Sequence, residues 1–522
     1  MPNGAQSLIR GLVDAGVDVC FANPGTSEMH FVAALDDVPE MRPVLCLFEG
    51  VATGAADGYA RMAERPACTL LHLGPGLANG LANLHNARRA HTPIVNLVGD
   101  HALGHKPLDA PLESDIDALA GSVSGWVRRT RDVGELAADA AEAVAAAAEG
   151  RIATLIVPAD ISWTDGGKAA PTGLGAPSGT IPCDIEAVTA ALTSGEPAAL
   201  LLGADATRGR GLEDAARIAR ATGARLLCET FPARLERGAG VPEVERLSYL
   251  GDAVAAQLAG LRHLVLVGAS SPVSFFAYPG KPGDLVPEGC QVHALAPSPE
   301  QAARVLPMFA RHVTRQAGPE TATDAAPEAA PRRPARPTGA LTAESAADAI
   351  GALLPEGAIV VDESNTSGLW LPGATAGAPR HDWLTLTGGA IGQGMPLATG
   401  AAVACPRRPV LCLESDGSAM YTMQALWTQA RENLNVTTVV FDNRSYAILN
   451  LELQQVGAAA AGERARDLLD LSRPELDFVA LAGGMGVPAA KATTAEEFTA
   501  QLERALADPG PYLIDCVVPP MV

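Results

Sequence analysis

The sequence predicts an α/β protein of three domains, each a doubly wound, mostly parallel sheet flanked by helices. Apolar runs of strand length recur between helical stretches and end in Gly, Pro, Asn or Asp turns, as parallel βαβ units require. The pattern restarts near residues 180 and 341. The length of 522 residues suits about three domains of ordinary size.

The first domain, 1–170, opens with polar Met1-Pro2-Asn3-Gly4 and an amphipathic helix. A strand over 17–22 runs into Asn23-Pro24-Gly25-Thr26-Ser27-Glu28. Another over 44–48 runs into Glu49 and then Gly50-Val51-Ala52-Thr53-Gly54-Ala55-Ala56-Asp57-Gly58-Tyr59-Ala60-Arg61, a helix with little side-chain bulk, whose backbone can approach a neighbour closely. A third over 67–71 precedes His72-Leu73-Gly74-Pro75-Gly76, and 153–160 reads as the last buried strand. The second domain, 180–315, has strands over 198–202, 224–228 and 263–267. Residues 316–338 are rich in Pro, Ala and charge and read as an extended, partly disordered linker that reaches about 340. The third domain, 341–522, carries the glycine turn Thr387-Gly388-Gly389-Ala390-Ile391-Gly392-Gln393-Gly394, then strands over 409–413 and 436–441 joined by a crossover helix over 419–432.

Asp416 and Asn443 follow those two strands and share the carboxyl edge of the sheet, where open α/β sheets bind ligands. Mg²⁺ takes hard oxygen ligands and leaves the rest of its shell to water and phosphate. Asp416, Asn443 and a backbone carbonyl near Ser445 can supply the protein's share, while Gly417 and Ser418 lead into a helix whose free N–H groups suit a phosphate. Read alone, an Asp-Gly after a strand is a turn. Glu49, read alone, is a first-turn glutamate that favours the helix dipole; Thr26 is a helix cap; and His72 is a structural histidine.

Together these segments resemble the thiamine diphosphate enzymes of the acetolactate synthase and benzoylformate decarboxylase superfamily, over essentially the whole chain. The signature Gly-Asp-Gly, a gap of about 25 residues and an Asn is matched by Ser415-Asp416-Gly417 and Asn443, with Ser415 where the first Gly is usual. The resemblance implies pyrimidine-binding, central and diphosphate-binding domains in that order. It implies thiamine diphosphate and Mg²⁺ as cofactors, Asp416, Asn443 and Ser445 as metal ligands, and Glu49 as the carboxylate that activates the aminopyrimidine. Pro24, Gly25, Gly389, Ile391, Gly417, Ser418, Asn443, Ser445, Tyr446, Ala447 and Ile448 become cofactor contacts, with Ile391 propping the bent cofactor. His72 falls where benzoylformate decarboxylases carry a working histidine able to move a proton near neutrality, and Thr26 joins it as a catalytic candidate. The central-domain histidine of those enzymes has no counterpart in Phe275-Phe276-Ala277-Tyr278. The adjacent His-His pair of pyruvate decarboxylases is also missing, since His101 and His105 stand apart in the sequence. The implied active unit is a homodimer or homotetramer with sites between subunits.

The bulk properties bound the function. A net charge of −21 argues against nucleic acid or anionic membranes as partners and says little about small substrates; small 2-oxo acids are the substrates that the resemblance implies. Nine scattered cysteines without metal-ligand spacing suit a reducing compartment. With no signal-peptide pattern and no spanning apolar run, a cytoplasmic enzyme is expected. The cofactor supplies the decarboxylation, and the protein decides whether an aldehyde leaves or a new carbon–carbon bond forms. Leu449 occupies the place where pyruvate decarboxylases carry a proton-relay glutamate, which suits ligation. The first expectation is therefore an acetolactate synthase-like carboligase that uses pyruvate as donor and no flavin. The alternative is a non-ligating decarboxylase of an aryl or branched 2-oxo acid, and a remoter one is a catalytically silent homologue that binds the cofactor.

Overall fold

The computed structural model describes residues 1–170, 184–296, 299–316, 332–458 and 462–520. The first sheet is wholly parallel: β1 (Val19–Asn23), β2 (Arg42–Leu45), β3 (Ala67–Leu71), β4 (Ile94–Asp100), β5 (Trp126–Arg129) and β6 (Ile152–Pro158) stand in the order β2-β1-β3-β4-β6-β5. Every residue of β3, β4 and β6 is buried, which is why these strands read as unbroken apolar runs: helices cover both faces. The second sheet orders β7 (Ala198–Leu202), β8 (Arg225–Cys228), β10 (Glu245–Arg246), β11 (His263–Val267) and β12 (Gln291–Ala296) as β10-β8-β7-β11-β12. The intervening β9 (Leu235–Arg237) leaves it and pairs antiparallel with residues 381–383 of the third sheet.

That third sheet holds β13 (Ile359–Glu363), β14 (His381–Thr385), β15 (Val410–Ser415), β16 (Val436–Asp442), β17 (Ala489–Ala492) and β18 (Tyr512–Val517), ordered β17-β18-β16-β15-β13-β14-β9. Without β9, it repeats the order of the first sheet strand for strand. Each therefore has a switch point, between β1 and β3 in one and between β13 and β15 in the other, where the loops diverge and open a crevice.

The two matching units meet through equivalent helices, Glu49–Ala63 and Gly394–Ala404. A Cβ on Gly58 would overlap the Leu397 carbonyl, and one on Gly400 would overlap that of Ala55. The small residues noted in the sequence thus let these two helices touch backbone to backbone.

Some elements differ from expectation. β2 stops four positions before Glu49, and Cys46, Leu47 and Phe48 turn the chain into the helix. The crossover helix starts at Asp416 and is broken into Asp416–Thr422 and Ala425–Arg431; at the break, Thr422 Oγ1 donates to Gly392 O at 2.9 Å. His101 and His105, apart in sequence, bring their rings to 5.4 Å across a turn. Of the expected linker, Gln316 ends a helix and 317–331 lie outside the described residues. From 332 the chain is irregular but docked: Arg333 caps the Ala343–Leu353 helix through Gly351 O at 3.1 Å and Leu354 O at 2.5 Å. Among the described residues no helix is long and apolar enough to cross a membrane.

Candidate active site

Register brings the first-unit candidates together. Ala22 pairs with Leu45, and Asn23 with Leu71, so the turns after β1, β2 and β3 share one edge. Asn23 Nδ2 donates to Cys46 O at 2.8 Å, tying the first turn to the approach to Glu49. Glu49, 8% exposed, begins its helix and accepts from Asn79 Nδ2 at 3.0 Å. A Cβ on Gly76 would come within 2.9 Å of Glu49 Oε1, so the glycine keeps that oxygen clear.

His72 stands before the helix Leu73–Arg89. Its Nδ1 lies 2.8 Å from Oε2 of buried Glu28, and the same oxygen accepts from Gly25 N at 2.8 Å. Gly25 must be glycine here, since its Cβ would overlap the His72 ring. Thr26 opens the short 3-10 turn Thr26–Glu28 and is exposed, without a side-chain cap bond; Pro24 precedes it on the same edge.

On the third-unit edge, β15 delivers Asp416 and β16 delivers Asn443. Asp416, 2% exposed, accepts from Gly417 N at 2.8 Å and Arg444 N at 2.6 Å. Burial pushes its carboxyl up to about 6 despite those donors. A buried acid supported, among the described residues, by backbone N–H groups alone is short of positive charge, which fits a divalent cation. Asn443 Oδ1 accepts from Ser445 N at 2.9 Å, and Arg444 between them takes a left-handed φ of 58°. Tyr446 lays its ring against Gly417, where a Cβ would overlap it, and Ala447 and Ile448 start the helix Ala447–Gln455. Ser415 accommodates its hydroxyl: it receives Asn365 Nδ2 at 2.6 Å and lies 2.8 Å from Ser418 Oγ. An open cavity of about 660 Å³ borders Asn443, Ser445 and Asn450, with Arg444 and Arg466 in its wall.

The turn carrying Ile391 is pinned from several sides. Gly389 and Gly392 have φ of 76° and 90°, values that favour glycine. Asn86 Nδ2 donates to Ala390 O at 2.7 Å, and Ala390 N donates to Asn86 Oδ1 at 3.1 Å. Glu363 accepts from Gly392 N at 2.6 Å and also from Gly394 N. Asn83 Nδ2 donates to Gly50 O at 2.8 Å and to Gly392 O at 3.3 Å, so one amide spans the Glu49 helix and the Ile391 turn. Among the described residues no hydrogen bond links Glu49 with Asp416 or Asn443.

Sequence reasoning passed over Glu28, Asn79, Asn83, Asn86, Glu363 and Glu414. Asn79, Asn83 and Asn86 recur at three- and four-residue steps, which puts them on one helix face and was the available signal. Glu363 and Glu414 are register partners on adjacent strands, fully buried side by side. Burial pushes Glu363 up to about 7, and burial together with the neighbouring Glu363 holds Glu414 well above the usual carboxylate range.

The sequence matches the thiamine pyrophosphate (TPP) enzyme N-terminal TPP-binding domain over residues 2–120 and the C-terminal TPP-binding domain over 367–516. It is 66% identical over the full length of both chains to a Mycobacterium tuberculosis protein provisionally named acetolactate synthase large subunit IlvX. It is 31% identical to a benzoylformate decarboxylase of Pseudomonas aeruginosa, over 96% of each chain. In fold it is similar to the Rhodococcus jostii thiamine diphosphate-dependent 4-hydroxybenzoylformate decarboxylase, with a TM-score of 0.86 at 24% identity over 99% of both chains. Both binding domains are matched in order, on the two units whose sheets share one strand order, and similarity to these relatives runs from end to end: the chain belongs to the thiamine pyrophosphate enzymes.

Proposed function

We propose that the protein decarboxylates a 2-oxo acid, pyruvate first among candidates, and joins the remaining fragment to a second 2-oxo acid or an aldehyde, without a flavin. Thiamine diphosphate, when bound, supplies the carbon that adds to the 2-oxo acid and takes up the electrons released as carbon dioxide leaves. Glu49 exchanges a proton through the oxygen that Gly76 leaves clear, while Asn79 holds its other oxygen. Asp416, Asn443 and the backbone carbonyl at Ser445 would hold Mg²⁺, and Gly417 and Ser418 the diphosphate. Ile391, on its pinned turn, would prop the cofactor. Pro24 and Gly25 of one subunit, with Gly389, Tyr446, Ala447 and Ile448 of another, would contact it.

The observation that carries ligation is Leu449. It is 43% exposed in the first turn of the Ala447–Gln455 helix, and it offers no proton. The carboxylate on the same face, Glu452, is engaged by two tyrosine hydroxyls. With no proton donor free on that face, the helix would leave the reacting carbon to a second carbonyl rather than to a proton. The active unit of this reading is a dimer or tetramer in which the Glu49 edge of one subunit faces the Asp416 edge of another.

Product analysis by NMR tests it: the enzyme with Mg²⁺, thiamine diphosphate and pyruvate, alone and paired with phenylpyruvate, indolepyruvate or benzoylformate, is expected to give acetolactate or a mixed acyloin. Aldehyde and carbon dioxide alone would favour simple decarboxylation. That second reading has its own support in His72, whose Nδ1 is bound to Glu28, leaving Nε2 to deliver a proton. Asp416→Ala is expected to weaken Mg²⁺ and cofactor retention; unchanged calorimetric affinity for both would remove the metal assignment.

A further inference from the structure

The chain is only 4% aromatic, yet Phe231, Tyr249, Phe275 and Phe276 of the central unit form one group, and Tyr278 joins Tyr249 at Glu452. Phe275 centres it, with ring centroids 5.9 Å from Phe231, 5.2 Å from Tyr249 and 5.0 Å from Phe276. Phe275 and Phe276 are 41% and 52% exposed, unusual for large apolar rings held in a fixed loop. The loop is closed by Ser274 N to Gly283 O at 2.8 Å and Leu285 N to Pro272 O at 3.1 Å. Phe275 faces the turn carrying Ile391, because a Cβ on Gly389 would lie 2.6 Å from Phe275 Cζ.

Glu452, on the Ala447–Gln455 helix, meets the tyrosines of this group. Tyr249 donates to its Oε1 at 2.8 Å, and Tyr278 donates to Oε2 at 2.9 Å and to Oε1 at 3.1 Å. Two phenols solvate a carboxylate without cancelling its charge, and Oε2 keeps a lone pair. Glu452 stands three positions after Leu449, so both share a helix face, with the carboxylate about one turn farther from the diphosphate end.

We infer that this cleft selects a carbonyl substrate with a flat aromatic body and a cationic or hydrogen-bond-donating far end, recognised by Glu452, and turns away one with an anionic far end. The inference rests on the site reading above and names the class of its larger substrate, the acceptor in ligation. The competing reading is that Glu452 only staples the central loop to the helix, as Lys281 does through Gln455 Oε1 at 3.0 Å.

The experiment uses holoenzyme with pyruvate as donor and three acceptors of similar size: benzaldehyde, 4-(trimethylammonio)benzaldehyde and 4-formylbenzoate. Competition for ligated product and calorimetric binding of each aldehyde are both read. The cation should be preferred to the anion by roughly tenfold or more, with benzaldehyde between, as for one facing charge at a partly screened distance. Glu452→Gln keeps acceptor oxygen for the tyrosines and should level the series to within roughly twofold. Phe275→Ala should weaken all three alike. No charge ranking in the wild type, or a ranking that survives Glu452→Gln, overturns the inference; a lower melting temperature with selectivity unchanged supports the staple. If no aldehyde is ligated but binding still ranks by charge, ligation fails and the pocket stands. If Glu452→Gln does not fold, the wild-type ranking and its response to Phe275→Ala still decide.

Discussion

At the scale of single residues, the site separates charge that has partners from charge that lacks them. Glu49 has a partner, Asn79, and a clear oxygen, so Glu49→Gln should keep the fold and most cofactor affinity while turnover falls by about three orders of magnitude or more. Calorimetry with a turnover assay checks this, and an active variant would remove Glu49 as the proton-exchanging group. Among the described residues, neither buried oxygen of Glu414 has a hydrogen-bond partner. Its folded-state affinity for a proton exceeds the unfolded one, as does that of Glu363, raised to about 7. The stability these acids contribute is therefore complete below the ordinary glutamate range and is lost as pH rises through about 7. The apoprotein's melting temperature should fall between about pH 5 and about pH 8. Glu414→Gln should flatten that fall and stabilise the protein at the upper end by on the order of a few kcal/mol. Melting curves parallel to wild type at every pH would show that the pair carries no such linkage. The places of Glu49, Asp416 and Asn443 at the sheet edges were legible because each ends or follows an apolar run. Glu28 was not read as the partner of His72, since 44 residues separate them and only the β1–β3 pairing joins them.

At the scale of elements, strands were easier to read than helix ends. Parallel strands buried on both faces leave continuous Val, Ile and Leu runs, whereas the break at Met423 and Gln424 reflects a tertiary bond from Thr422 that local sequence does not encode. The paired helices Glu49–Ala63 and Gly394–Ala404 set the distance between the two binding units. Gly58→Ala puts a methyl onto the Leu397 carbonyl and should cost about 2–4 kcal/mol despite the better helix propensity of alanine. Gly16→Ala, in open space but at a φ of 93°, is the contrast: it tests backbone strain without crowding. If Gly58→Ala melts like wild type, the helices can separate more freely than their contact implies.

At the scale of the whole molecule, one buried ion pair reaches all three units. Arg61 binds Asp57 at 2.6 Å and donates to Ala233 O at 3.1 Å and Thr385 O at 3.0 Å, while Asp57 also receives Thr92 and Gln393 at 2.6 Å each. Asp57→Ala strands a buried guanidinium and should cost about 3–5 kcal/mol, with a single cooperative melt giving way to separate transitions in calorimetry. Persistence of one sharp transition at the wild-type temperature would refute that coupling. The three-part layout was visible in the sequence through the restarting pattern. The exchange of β9 was not, because Leu235–Arg237 is three residues long and mostly charged. That exchange bears on how the protein can be dissected. A fragment beginning at the third unit leaves the backbone of β14 open to any passing strand, so a recombinant piece cut there is expected to aggregate, and chimaeras with a relative should carry residues 235–237 along with the C-terminal half.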